Sequence, residues 1–226
     1  MKRFLQTVGI VEGEVRLDGR PVRTPGRVPL VLPTAALAEL VAGEWAAVGE
    51  TIDPRAMPAT GLANAAIDRI APDPRAFAAG LAKYVESDLL CYRADGPAPL
   101  VERQRAHWDP PLDWARRRYD VAIETTAGIV HRAQPPATIA RLGEAIAARD
   151  AWTLAALSPV VTITGSLILA LALAEAAMTP DVVWAAARVD DDWQVEQWGK
   201  DALAAETAAA QRRDFDAAVR FLAALG

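Results

Sequence analysis

Cys91, His107 and one of two nearby aspartates are the side chains that could act as a nucleophile, a base and a group that orients the base. Asp109 and Asp113 follow the histidine and are the candidates for the third role. The thiol, however, lies in the apolar run Leu89-Leu90-Cys91-Tyr92. A cysteine among apolar side chains is usually buried and inert, so we expect Cys91 to be structural.

Glu86 and Asp88 are a second candidate pair, because neighbouring carboxyl groups can divide the work of an acid and a base. A polar edge beside a strand explains them equally well. Only His107 and His131 occur in the 226 residues, which excludes a histidine-rich metal site but not a carboxylate-only site. The chain has no Gly-x-Gly-x-x-Gly and no phosphate loop ending in Gly-Lys-Ser/Thr. We therefore predict no catalytic residues, no metal and no cofactor, and a protein that is not an enzyme.

The charge pattern is most uneven between Asp181 and Glu206. This segment has seven carboxylates against two cations, whereas the first 30 residues contain six cations and three acids. The acidic segment also contains three tryptophans. Acidic groups steer and select a partner and a large aromatic side chain supplies area to bury, so this composition favours a partner-binding surface. The alternative is a solvated helix face whose indoles point inward.

Helical spacing assigns different roles to these tryptophans. If residues 180–206 form one helix, Trp184 and Trp198 share one face, which predicts structural roles for both. An Arg188–Asp191 pair lies on the same face, and the third tryptophan points the opposite way. A helix break at Val189-Asp190, with Asp190 as a new N-cap, would alter this phasing. The residues that we predict to bind a partner are Asp190, Asp192, Trp193, Glu196 and Asp201.

Length and composition restrict the class of protein. The chain is 52% hydrophobic, which is enough to bury a substantial core in one domain or two small ones. A net charge of −5 argues against a nucleic-acid binder. A single cysteine and a start without a long apolar run predict a reducing compartment, the cytoplasm of a bacterium, with the mitochondrial matrix as the eukaryotic counterpart.

The segment from Ala151 to Ala174 is uncharged and long enough to span a membrane. Ser158-Pro159 interrupts it, polar residues follow, and no cluster of basic residues flanks it. We therefore predict a buried helical region and no stable membrane insertion.

The chain changes character near Ile52-Asp53-Pro54. Before that point, short extended runs alternate with Gly and Pro, and Asp18-Gly19 is a strong hairpin signal because glycine tolerates the positive φ of a primed turn. Pro33-Thr34 then opens one helix, in which we expect Trp45 to be a structural core residue. The extended runs are Phe4–Val11, Val15–Leu17, Pro21–Arg23 and Val28–Leu32.

Beyond this point most of the sequence has helical spacing. Residues 99–108 and 112–119 are predicted to form two separate helices. The predicted fold is therefore α+β. Residues 1–52 form a small N-terminal antiparallel β domain with one helix, and residues 53–226 form a larger, mainly α-helical domain.

Together, motifs along almost the whole chain resemble the family of assembly chaperones that attend the α subunit of the F-type ATP synthase catalytic head. The hairpin motif and the acidic tryptophan motif are the most specific of them. The motifs include Leu17–Pro25, Glu44-Trp45, Ile52-Asp53-Pro54, Tyr84–Arg93, Arg103-Gln104, Trp108-Asp109-Pro110, Gly165-Ser166-Leu167 and Asp190–Gly199.

The resemblance implies a cofactor-free, ATP-independent chaperone. Its partner would be the unassembled α subunit, held on the surface that the β subunit later occupies, with no nucleic acid and no membrane involved. An interface destined for a permanent complex is apolar, and it invites aggregation while it is uncovered. The alternative is a small soluble hydrolase or isomerase that uses carboxylates or Cys91 between the two domains.

Overall fold

The computed structural model describes residues 7–128 and 130–226, so the first three residues of the predicted run Phe4–Val11 lie outside it. Its residues form two compact units. The first comprises the described residues up to Pro74 together with Asp150–Ala156 and Asp216–Gly226, and the second comprises Arg75–Arg149 and Leu157–Phe215. A small N-terminal antiparallel sheet is followed by a mostly helical region, which confirms the predicted α+β class. The domain boundary after residue 52 stays a prediction.

The first unit begins with a three-stranded antiparallel sheet. Its strands β1 (Val8–Val11), β2 (Glu14–Leu17) and β3 (Arg20–Pro21) lie in sequence order. Asp18 and Gly19, between β2 and β3, have φ angles of 50° and 78°. Two successive positive φ angles are typical of the primed turn that an Asp-Gly pair predicts. Glu12-Gly13 makes a second turn of the same kind between β1 and β2, with φ angles of 51° and 79°.

Helix α1 (Ala35–Ala47) covers this sheet. Thr34 is its N-cap, and the Thr34 hydroxyl oxygen accepts a hydrogen bond from the Leu37 N–H at 3.1 Å. The same hydroxyl donates to the Ala224 carbonyl near the C-terminus. The buried residues of the resulting core include Val15, Leu30, Leu37, Val41, Ala63 and Phe221.

The remaining helices follow in chain order. Short turns of 3-10 or π helix occupy Pro54–Ala56, Ala66–Ile70, Lys83–Ser87 and Leu89–Cys91. A short parallel pair is formed by β4 (Tyr92–Arg93) and β5 (Thr126–Ala127). The helices are α2 (Pro58–Ala65), α3 (Pro74–Ala82), α4 (Ala98–Tyr119), α5 (Pro136–Ala147), α6 (Ala151–Thr164), α7 (Leu167–Ala174), α8 (Pro180–Ala187), α9 (Val189–Trp198) and α10 (Ala202–Ala223).

Helix α4 is continuous through Pro110 and Pro111, so the prediction of two helices in this region was wrong. The physical reason is its packing against α7, α8 and α9, which holds the backbone helical across the missing N–H groups. Trp108 is fully buried, and its indole N–H donates to the Ala186 carbonyl at 2.7 Å. Leu112 and Ala115 continue the same buried face.

Helix α7 is the centre of the second unit, since all residues from Leu167 to Leu173 are buried. No helix among the described residues is both long and apolar enough to cross a membrane. At the end of α7 the Glu175 carboxylate accepts hydrogen bonds from Arg118, Tyr119 and Arg149. Burial opposes ionisation of Glu175, but these three donors outweigh it and lower the pKa.

Candidate partner-binding surface

The acidic segment contains two helices and the start of a third, so the single helix considered for residues 180–206 is wrong. Helix α8 ends at Ala187, Arg188 has φ −103° and ψ 2°, and α9 starts at Val189. The break allows both helices to pack against α4. The alternative of a break at Val189-Asp190 is close to this position, but the N-cap of the new helix is Arg188 and not Asp190. The Asp190 carboxylate accepts a hydrogen bond from Gln104 on α4 instead.

The break also changes the positions of the tryptophans. Trp198, the last residue of α9, is 78% exposed, so the prediction that it is a structural residue was wrong. Its helix has a phase of its own, and the inward face of α8 does not continue into it. Trp184 is half-buried, with its ring 5.4 Å from that of Phe215. Trp45 in the first unit is also half-buried and packs against the sheet core.

Two neighbouring residues of α4 hold α9 in place. Gln104 is buried, and its amide N–H donates to the Asp190 carboxylate at 2.7 Å while its amide oxygen accepts from the Ala94 N–H at 2.8 Å. Arg103 donates two hydrogen bonds of 2.8 Å to the two carboxylate oxygens of Glu196. Such a two-point contact fixes orientation as well as distance. The carboxylates of Asp190 and Glu196 therefore serve to position α9 on α4.

Arg103 also lies over the Trp193 ring, 5.3 Å from its centroid, which is within the range of a cation–π contact. Trp193 is half-buried in this position. The hydrogen bonds between Arg103 and Glu196 raise the pKa of the guanidinium and lower the pKa of the carboxyl group. Both groups are thus charged at neutral pH, and the indole is held on α9 by its neighbours.

The carboxylates of Asp191 and Asp192 point outward. Their side chains are 55% and 59% exposed. Arg188, which is only 16% exposed, lies at the base of the pair, hydrogen-bonded to Asp191 and 3.7 Å from Asp192. Asp201 follows α9 and has another task, because its carboxylate accepts from the Ala204 N–H at 2.8 Å, as a helix N-cap does.

The structure thus brings four of the five predicted binding residues together on α9 and places Asp201 at the start of α10. Sequence reasoning missed the roles of Arg103 and Gln104. The two residues belong to a motif of the sequence, but no local spacing connects them with Glu196 and Asp190, which lie 93 and 86 positions later in the chain. Only the packing of α9 on α4 makes the connection.

The Cys91 thiol, which was the candidate nucleophile, lies in an environment that opposes its ionisation. Cys91 is 3% exposed, and burial together with the charge of Asp88 raises the pKa of its thiol to about 12. The thiolate is therefore scarce at neutral pH. Asp88 is fully buried, and it accepts hydrogen bonds from the Leu90 and Ile168 N–H groups. Within residues 7–128 and 130–226 there is no group of three His, Cys, Asp or Glu that could hold a metal ion.

Comparison with known proteins gives a family match. Residues 2–116 match the family described as ATP12 chaperone protein. The chain is similar to the mitochondrial protein atp12 of Schizosaccharomyces pombe, with 24% identity over 204 residues. The aligned region is 84% of this chain and 70% of the relative.

Solved structures give a closer likeness. The crystal structure of Atp12 from Paracoccus denitrificans is 41% identical, with a TM-score of 0.93 over all of this chain and 98% of the other. The Atu1473 protein of Agrobacterium tumefaciens is 43% identical, with a TM-score of 0.92 over all of this chain and 86% of the other.

Proposed function

Because this chain belongs to the ATP12 chaperone family, we propose that it is an ATP-independent assembly chaperone for the α subunit of the F-type ATP synthase catalytic head. It binds the unassembled α subunit and shields the surface that faces the β subunit, until the β subunit displaces it. This task requires a complementary surface and reversible affinity, and it requires no nucleotide chemistry. The proposed location is the bacterial cytoplasm, with the mitochondrial matrix as the counterpart for eukaryotic relatives.

The observation that supports this proposal is the pair of solvent-facing carboxylates, Asp191 and Asp192, on α9, a helix that side chains of α4 hold in place. Asp191 and Asp192 are more than half exposed, while Arg103 and Gln104 fix the helix beneath them. A preorganised charged surface loses little freedom when a partner binds, so more of the interaction free energy appears as affinity. The burial and raised pKa of Cys91 oppose the alternative hydrolase or isomerase.

The proposed binding residues have two kinds of role. Asp192 steers the partner and contacts it, and Trp193 adds apolar area at the edge of the contact. Asp190 and Glu196 keep α9 in place, and Asp201 fixes the start of α10. We include Asp191 with Asp192 because both carboxylates face solvent.

Light scattering during refolding of the α subunit tests this function. The isolated α subunit is diluted from denaturant alone, or with an equimolar amount of this protein, in each case without nucleotide. We expect the protein to suppress aggregation of the α subunit and to leave aggregation of the β subunit unchanged. Equal scattering of the α subunit with and without the protein would contradict the proposal.

A further inference from the structure

The junction of α9 and α10 is an exposed segment with two large apolar side chains. Every residue from 196 to 207 is exposed, and we call this segment the elbow. Trp198 and Leu203 lie on its two sides with exposures of 78% and 72%. Gly199 between them has φ 86° and ψ 173°, a conformation that only glycine adopts readily. The elbow is therefore a defined turn between two helices.

The exposure of these two side chains is unusual within this molecule. Of the large apolar residues described as exposed, only Val130 is comparably bare at 74%, and the others lie between 39% and 46%. The first turns of α10 have no buried side, because residues 202–207 are all exposed. A helix normally turns one face to the core, so the fold alone gives Leu203 no reason to be apolar.

The surroundings indicate the chemistry of an occupant. Lys200 is the only cation in the sequence from residue 189 to residue 210, whereas Asp191, Asp192, Glu196, Asp201 and Glu206 supply negative charge. Glu196 is paired with Arg103, and Arg188 lies beside Asp191 and Asp192, so negative charges still outnumber positive ones around the elbow. Apolar groups surrounded by acids fit a segment that has apolar side chains flanked by lysine or arginine. Alanines at 202, 204 and 205 leave room for close approach beside Leu203.

We propose that Trp198 and Leu203 form the apolar centre of the surface that binds the α subunit. The bound segment of the α subunit would be basic and would contain apolar side chains. This inference rests on the proposed function and adds two residues to its interface. The surrounding carboxylates speed the encounter, while the indole and the leucine slow dissociation by the apolar area that they bury. A tryptophan loses little conformational freedom on binding, so its exposed position favours high affinity.

Binding to the α subunit by three single variants tests the inference. Trp198→Ala and Leu203→Ser each remove one exposed apolar group, and Val130→Ser removes an equally exposed one elsewhere. We expect the first two to weaken the equilibrium affinity by roughly tenfold or more, mainly through faster dissociation. Val130→Ser should stay within about twofold of wild type. Equal melting temperatures of the four proteins show that folding is intact.

The outcomes separate the two proposals. If wild type binds the α subunit and both elbow variants bind equally well, the elbow inference fails and the proposed function stands. If wild type does not bind the α subunit, both fail. Light scattering of the protein alone measures its oligomeric state. A dimer of wild type that is lost in Trp198→Ala would mean that the elbow binds a second copy of this chain, which would overturn the inference.

Discussion

At the scale of single residues, Arg103 contributes most to the geometry of the candidate surface. It donates hydrogen bonds to both carboxylate oxygens of Glu196 and lies over the Trp193 ring. Replacing it with alanine should loosen α9 and weaken binding of the α subunit. The effect on global stability should be small, since exposed ion pairs contribute little. Hydrogen exchange of residues 189–198 measures the loosening, with the exposed neighbour Arg105→Ala as the control. Unchanged exchange in the Arg103 variant would show that α9 is held by other contacts.

Asp88 makes the stability of the fold depend on pH. Burial raises its pKa from 3.8 to about 6, against the hydrogen bonds from Ser166, Ile168 and Leu90. Between pH 3.8 and about 6, Asp88 in the folded protein therefore retains a proton that it has lost in the unfolded chain. The resulting stability is fully present below the unfolded pKa and is lost as pH rises through about 6. Each pKa unit corresponds to about 1.4 kcal/mol, so the loss is on the order of 3 kcal/mol.

The variant Asp88→Asn isolates this effect, because the amide does not titrate. We expect the difference in unfolding free energy between wild type and variant to shift against wild type as pH rises from about 4 to about 7. Urea unfolding at a series of pH values measures the difference. The exposed Asp95→Asn is the control and should retain the wild-type profile. Parallel curves for wild type and Asp88→Asn would refute the role of Asp88.

Truncation of two tryptophans of the second unit should change the free energy of unfolding to very different extents. Trp108 is fully buried and its indole N–H is hydrogen-bonded, so Trp108→Ala should cost about 3 to 5 kcal/mol of stability. Trp198 is mostly exposed, and Trp198→Ala should change stability by less than about 0.5 kcal/mol. Chemical denaturation of both variants measures the contrast. A large loss in the Trp198 variant would mean that its indole is covered in solution.

At the scale of elements, the turn between α9 and α10 depends on Gly199. No atom would obstruct an added methyl group, but the positive φ makes any other residue strained. Gly199→Ala should therefore cost about 1 to 3 kcal/mol or reshape the elbow. Gly43→Ala is the matched control, because this glycine is exposed within α1 and alanine should stabilise the helix by about 0.5 to 1 kcal/mol. Thermal unfolding measures both, and stabilisation by Gly199→Ala would contradict the strained turn.

Local elements could be predicted where short-range chemistry decides them. Asp18-Gly19 predicts its own turn, and Thr34 predicts the helix start at which its hydroxyl oxygen accepts from the Leu37 N–H. The continuous α4 could not be predicted in the same way, and the sequence leaves the break near Arg188 only as an alternative to a single helix. In both places the packing of α4 against α8 and α9 decides the backbone, and these helices are far apart in the sequence.

The candidate site shows the same limit. Its acidic residues could be found from composition, because seven carboxylates in 26 residues stand out at once. Which of them face solvent could not, since Arg103 and Gln104 engage Glu196 and Asp190 across the fold. A structural role for Trp198 follows only from a single helical phase over residues 180–206, and the break at Arg188 ends that phase.

At the scale of the whole molecule, the distribution of charge should control capture of the α subunit. Asp192→Lys reverses an exposed charge on α9, and Glu39→Lys makes the same change in net charge on an exposed position of α1. We expect the first variant to reduce the association rate by roughly tenfold at low salt and the second to leave it near that of wild type. Stopped-flow binding measures both rates. Equal slowing by the two variants would indicate net charge alone and not a local surface.

The most direct test of the proposed function is native mass spectrometry of this protein with the isolated α and β subunits, without nucleotide. We predict a one-to-one complex with the α subunit, no complex with the β subunit, and release of this protein when the β subunit is added to the preformed complex. A complex with neither subunit, or a ternary complex that persists after the β subunit binds, would contradict the account.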